Sequence, residues 1–130
     1  DSTPGRDLVW VDRTGREVPV GVPKRPYHAV RIAPDGSRAL LQVADQDRDI
    51  WLWEFDRRAM TRVTLQEGDE QSPVWLPDGR RLLLSSNASG QPNLFRQNVD
   101  GTGAAERLLT GPYAQMPLTV TPDGTTLVYY

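Results

Sequence analysis

The stretch Ser72-Pro-Val-Trp-Leu-Pro-Asp-Gly-Arg-Arg-Leu-Leu-Leu-Ser-Ser86, SPVWLPDGRRLLLSS, is two apolar runs separated by Pro77-Asp78-Gly79. Proline presets φ at the first central turn position, aspartate suits the second, and glycine accepts the positive φ that lets two antiparallel strands leave with the correct twist. The stretch therefore reads as a hairpin. The tripeptide recurs at Pro34-Asp35-Gly36 and Pro122-Asp123-Gly124, at spacings of 43 and 45 residues. A second marker keeps the phase. An aspartate closes an apolar run at Asp12, Asp56 and Asp100, 44 residues apart each time, and opens the turns DRTG, DRRA and DGTG.

Around each Pro-Asp-Gly lie two short runs rich in Val, Leu, Ile, Trp and Tyr, the expected strands A and B. They are His28 to Ala33 with Arg38 to Ala44, Pro73 to Leu76 with Arg80 to Ser86, and Met116 to Thr121 with Thr125 to Tyr130. After a polar loop, ADQDRD or NASGQP, comes strand C at Ile50 to Phe55 or Leu94 to Val99. The aspartate-led turn then leads to strand D at Met60 to Thr64 or Glu106 to Leu109. Four antiparallel strands per repeat of about 44 residues is the period of a β-propeller blade. Helices are disfavoured: glycine and proline total 22 of 130 residues, and no stretch sustains i, i+3, i+4, i+7 apolar spacing. The fold class is all-β.

The order of strands is CD, ABCD, ABCD, AB. Residues 1–26 form a half blade (C, D), 27–70 and 71–113 two full blades, and 114–130 a second half blade (A, B), together one propeller segment. A half blade has an open strand edge and an uncovered apolar face, which invite pairing with another chain. Propellers have about four to eight blades, so the three blade equivalents here suggest a ring closed by self-association. Two chains would make a six-bladed ring with twofold symmetry, CD of one completing AB of the other at two equivalent seams. A nine-bladed homotrimer and an open arc are the alternatives.

Composition agrees with one modest globular unit: 38% hydrophobic and 25% charged residues over 130 positions. The longest apolar runs are too short to span a bilayer, and no basic start precedes an apolar core, so no signal peptide is read. A chain that begins at Asp1 without methionine reads as a mature product or an excised piece. The absence of cysteine excludes disulfides, thiolate nucleophiles and cysteine-based zinc sites. A net charge of −2, with arginines and acids interspersed, supplies no basic stripe for a phosphate backbone, so nucleic acid is not an expected partner.

The text from Ser72 to Phe95 resembles the TolB-type propeller repeat, in which a Ser-Pro-x-Trp-Ser-Pro-Asp-Gly hairpin is followed by a Ser-Asn/Asp-rich loop and an Asn/Asp-Leu/Ile-Tyr/Phe strand. Arg31-Ile-Ala-Pro-Asp-Gly36 with Asp49-Ile-Trp-Leu-Trp53 matches more loosely, and Val120-Thr-Pro-Asp-Gly124 keeps the turn. Such repeats occur in bacterial periplasmic TolB, in the propellers of prolyl oligopeptidase-like enzymes, and in extracytoplasmic sensor parts of bacterial kinases. LVWVDRTGRE looks especially like the kinase-associated group. The resemblance implies a noncatalytic protein-binding or gating module, periplasmic or extracytoplasmic, with a protein or peptide ligand and commonly six blades. The chain departs from that pattern in having three. Two further readings are a gating piece of a prolyl oligopeptidase-like hydrolase and an engineered or excised assembly fragment without a ligand of its own.

Candidate chemistry is sparse. His28, the one histidine, lacks a Gly-x-Ser-x-Gly nucleophile turn to serve, so it reads as an ordinary strand histidine. Asp45, Asp47 and Asp49 alternate and could offer oxygens to Ca²⁺, but the loop lacks the glycine and terminal glutamate of a dedicated calcium loop and contains Arg48. It reads as solvated. Glu67, Asp69 and Glu70 form a second acidic cluster, read as a solvated loop or as half of a binding rim. Asn87-Ala-Ser89 is a formal glycosylation sequon within the polar loop expected of the repeat. Trp51, Trp53 and Trp75 read as core between blades rather than as a stacking platform. No catalytic, cofactor-binding or metal-binding residue is assigned, and no cofactor is expected.

Overall fold

A computed structural model describes residues 4–109 and 111–130; the expected segments that include residues 1–3 and 110 reach outside it at those positions. Its elements are β1 (Val9–Val11), β2 (Glu17–Pro19), β3 (Tyr27–Ile32), β4 (Arg38–Ala44), β5 (Arg48–Glu54), β6 (Ala59–Arg62), β7 (Glu70–Trp75), β8 (Arg81–Ser86), β9 (Asn93–Asn98), β10 (Glu106–Arg107), β11 (Pro117–Val120) and β12 (Leu127–Tyr129). No helix occurs among the described residues. The strands make four antiparallel sheets: β1-β2, β3-β4-β5-β6, β7-β8-β9-β10 and β11-β12. We call them sheets I to IV.

Each Pro-Asp-Gly closes a hairpin in the same way. The amides of Gly36, Gly79 and Gly124 donate to the carbonyls of Ala33, Leu76 and Thr121 at 2.9, 3.0 and 2.8 Å, and all three glycines have φ between 66° and 77°. This is a type I turn followed by a left-handed residue, the three-residue hairpin connection that glycine makes inexpensive. The first strand of every hairpin carries a register shift, between Tyr27 and Ala29, Gln71 and Val74, and Pro117 and Thr119. In β7 the bulge begins the strand earlier than the apolar pattern suggests. Pro73 has no N–H to give the ladder, Ser72 sits at φ 57°, and the Ser72 amide leaves its own sheet to donate to Gln42 Oε1 at 3.0 Å. Residues 70 and 71 pair with Ser86 and Ser85.

Alternation sends successive side chains of one strand to opposite neighbouring sheets. Leu40, Ile50, Leu52, Trp75, Leu82 and Leu84 form the core between sheets II and III. Ala39, Leu41, Val43 and Trp53 turn toward sheet I, where Leu8, Val20 and Val22 meet them. Val74, Leu76 and Leu83 turn toward Val120 and Leu127 of sheet IV. Each fully buried leucine contributes about 1.5–3 kcal/mol relative to exposure. Directional bonds tie the central seam. Trp75 Nε1 donates to the Arg31 carbonyl at 2.7 Å, and Gln97 Nε2 donates to the Val63 carbonyl at 3.1 Å.

Candidate functional site

The repeat makes equivalent positions comparable. Leu40, Leu83 and Val128 each stand six residues after a turn proline. Leu40 is covered by sheet III and Leu83 by sheet IV, and they are 0% and 2% exposed; Val128 is 52% exposed. Val9, Trp53 and Gln97 each stand three residues before the aspartate that closes strand C. Trp53 is buried beside sheet I and Gln97 is half-buried against Val63 next to β6 of sheet II, whereas Val9 is 43% exposed. The same kinds of residue are therefore sealed in the middle of the segment and uncovered at its ends.

Strand edges repeat the pattern. In sheets II and III the second and third strands pair along their length, β4 with β5 and β8 with β9. Among the described residues β12, a second strand, pairs only with β11, and β1, a third strand, pairs only with β2. Each presents the edge that its counterparts use, with backbone N–H and C=O groups available for strand addition.

Beside the first open edge, Val30 and Ile32 share a face with Leu41 and Ala39, their register partners. They remain exposed where, among the described residues, sheet I brings only β1 and β2 to that side. Leu8, Trp10, Val22, Leu41 and Phe55 surround an apolar concavity of about 210 Å³ there, with the Trp10 and Phe55 ring centroids 5.1 Å apart. Beside the second edge, Leu83, Arg96, Leu108, Asp123 and Leu127 line a mixed concavity of about 250 Å³ between sheets III and IV. Arg96 is paired with Glu106 at 2.6 Å. Asp123 is held at a pKa of about 2 by the Thr121 hydroxyl, then by the Thr125 amide and hydroxyl. Asp123 therefore stays charged at neutral pH.

The residues singled out in the sequence are dispersed. His28 lies exposed on β3. Asp45 is engaged by Arg25, and Asp49 accepts from Arg62 Nη2 at 2.9 Å and Thr64 Oγ1 at 3.1 Å. With Asp47 exposed in the loop, the three carboxylates do not converge: among the described residues no group of three or more acidic, histidine or cysteine side chains is placed to hold a metal ion. Trp53 and Trp75 are core. Trp51 is half-buried, its ring under the Arg25 guanidinium at 4.3 Å. Asn87 uses its Oδ1 to accept the Asp69 amide at 2.8 Å, stapling two loops of sheet III.

The second acidic cluster differs from its reading as a solvated loop. Glu67 is exposed, Asp69 is half-buried and accepts the Arg48 amide at 3.0 Å, and Glu70 is fully buried within β7. The bulge at Ser72 carries the strand back through position 70, which the apolar pattern, starting at Pro73, did not reveal. One signal was available: Tyr27 and Gln115 occupy the same place, seven residues before the turn proline, and both are buried.

A family model described as the TolB beta propeller domain matches residues 8–130. An uncharacterized protein of Agrobacterium fabrum is 33% identical over 98 residues, covering 75% of this chain and 33% of that protein. The Tol-Pal system protein TolB of Helicobacter pylori is 30% identical over 79 residues, covering 60% of this chain and 19% of that protein. The chain thus spans between a fifth and a third of the length of these curated relatives. Among solved structures, TolB from Acinetobacter baumannii superposes with a TM-score of 0.77 at 22% identity, over 90% of this chain and 29% of that one. An acylaminoacyl peptidase from Pyrococcus horikoshii gives 0.65 at 14%, over 88% and 22%. At those identities the structural likeness speaks for the fold. With the four-stranded sheets, the repeated turn and a family match across nearly the whole chain, the chain belongs to the TolB beta propeller domain family.

Proposed function

We propose that this chain is a noncatalytic protein-interaction module of an extracytoplasmic bacterial protein, and that two copies close a six-bladed ring through their half sheets. The observation that carries the reading is the pair of open ends: a strand edge and uncovered apolar side chains at β1 and β3, and the complementary edge and face at β12. In the internal seam Leu40 packs in one cluster with Trp75, Leu82 and Leu84. Repeat equivalence sets Val128 of one copy against Ile32, Ala39 and Leu41 of the other. Both seams of a twofold dimer are alike, so the contact closes without leaving an edge.

Light scattering on the chain as it elutes from a sizing column tests this. A mass of twice 14.6 kDa supports the two-copy ring, and three times that mass replaces it with a nine-bladed trimer. A well-folded monomer across concentrations overturns self-assembly; the half sheets would then be completed by flanking sequence of a longer polypeptide. The fold likeness to a peptidase propeller supports a second reading, a gating propeller beside a hydrolase domain, which the parent reading frame would test.

A further inference from the structure

Glu70 and its cross-strand neighbours form a buried polar row that the interaction surface does not use. Glu70 on β7 pairs in register with Ser86 on β8, which pairs with Asn93 on β9, so the three side chains share one face of sheet III. That face also carries Leu82 and Leu84 and is turned toward sheet II. All three are 1% exposed or less. Ser86 Oγ donates to Glu70 Oε1 at 2.9 Å and accepts the Ala88 amide at 3.2 Å. Two oxygens in the row, Glu70 Oε2 and Asn93 Oδ1, are buried without a partner among the described residues. Asn93 spends its amide on the Gln91 carbonyl at 2.6 Å. Two orphaned acceptors in one row are costly, and one proton converts one of them into a donor.

The charges facing this row do not favour an anion. Asp49 on β5 and Asp69 before β7 raise the proton affinity of Glu70, and Arg62 on β6 lowers it. Arg62 is already paired with Asp49 at 2.9 Å. The sister repeats give an independent indication. The equivalent positions hold Tyr27 and Gln115, both buried and both neutral. Glutamine is the neutral isostere of a protonated glutamate, and Gln115 uses its Oε1 to accept the Leu94 amide of the neighbouring sheet at 3.2 Å.

We propose that Glu70 is held in the folded protein as the neutral carboxylic acid, its Oε2 proton given to Asn93 Oδ1, and that losing this proton loosens the seam between sheets II and III. The fold thereby carries a proton-dependent lock that is closed in mildly acidic surroundings and weakened in alkaline ones. Burial, opposed by the Ser86 bond and reinforced by Asp49, pushes the Glu70 carboxyl up from 4.5 to about 7. The folded state therefore binds the proton more tightly than the unfolded chain. The stabilisation is fully present below the unfolded value, and is lost as pH rises through the folded one.

Carboxyl-carbon NMR of the intact chain reads the proton directly. The Glu70 signal is expected to titrate near neutrality, with the Asn93 side-chain amide shifting at the same midpoint. A Glu70 midpoint in the ordinary glutamate range, or an Asn93 amide that does not follow it, overturns the proposal. Urea unfolding at several pH values gives the second reading. Glu70→Gln, which installs the residue of the sister repeat, is expected to remove the decline between about pH 5 and 8 and to exceed the parent in stability at pH 8. A Glu70→Gln curve with the parent's slope overturns the lock.

Discussion

At the scale of single residues, the turns are clasped by aspartate. Asp35, Asp78 and Asp123 each accept the amide two residues on, at 2.9, 2.9 and 3.1 Å. Asp12 and Asp100 do the same at the other turn of the repeat, adding a threonine hydroxyl at 2.6 Å. These bonds hold all five carboxyls below the ordinary value of 3.8. At Asp78 partial burial acts in the opposite direction, and the Arg80 amide and Arg81 guanidinium outweigh it. Asp78→Ala removes two backbone acceptances and the 2.9 Å pair with Arg81, a loss of about 1 kcal/mol. Asp78→Asn retains an acceptor oxygen and is expected to lose about half as much. Chemical denaturation of the two variants beside the parent checks the order. Because these carboxyls are depressed, their stabilisation is present above the unfolded value and lost as pH falls through the folded one. Glu70 acts in the opposite sense, with an unfolded value of 4.5, so stability is expected to peak at about pH 4, between the two windows.

At the scale of elements, the hairpins were legible because proline, aspartate and glycine each make a separate demand on the backbone, and three copies in phase leave little room for another reading. The starts of the first strands were not. A bulge lets a strand continue past a proline that cannot donate, so β7 begins at Glu70 rather than Pro73, and a glutamate assigned to a loop lies in the core. Strand D is cut shorter than its apolar run, β10 to Glu106–Arg107, because beyond Arg107 the ladder continues only through the single bond from the Leu108 amide to the Leu94 carbonyl. The open faces are legible by phase alone. Val128 carries the same pattern as Leu40, and composition does not distinguish a sealed leucine from an uncovered valine. Where the seam is closed, one bond tests its strength. Trp75→Phe keeps an aromatic ring beside Arg38 but removes the indole bond that the Arg31 carbonyl accepts across the seam in addition to its place in the β3–β4 ladder. The expected loss is about 1–2 kcal/mol, read by urea unfolding.

At the scale of the whole molecule, the internal seam is a template for the proposed external one, and this makes ring closure testable by paired substitutions. Ile32 and Val128 are 49% and 52% exposed within a single chain, so an arginine at either site disturbs the folding of one copy little. Across a seam each would be buried against apolar partners, and an unpaired guanidinium there is strongly unfavourable. Ile32→Arg and Val128→Arg are therefore each expected to convert the assembly to monomers without lowering the unfolding midpoint of the dissociated chain. The mixture separates a closed ring from a sticky patch. A copy carrying Ile32→Arg keeps a sound β12 face, and one carrying Val128→Arg keeps a sound β3 face, so together they have one good seam and one spoiled seam. They are expected to form a weak dimer that dissociates at concentrations where the parent ring persists, because closure makes the second seam intramolecular. Sedimentation velocity across a dilution series distinguishes the cases. If either single variant assembles as tightly as the parent, the contact is not made through these faces. If the mixture matches the parent, one seam suffices and the two-copy ring is the wrong description.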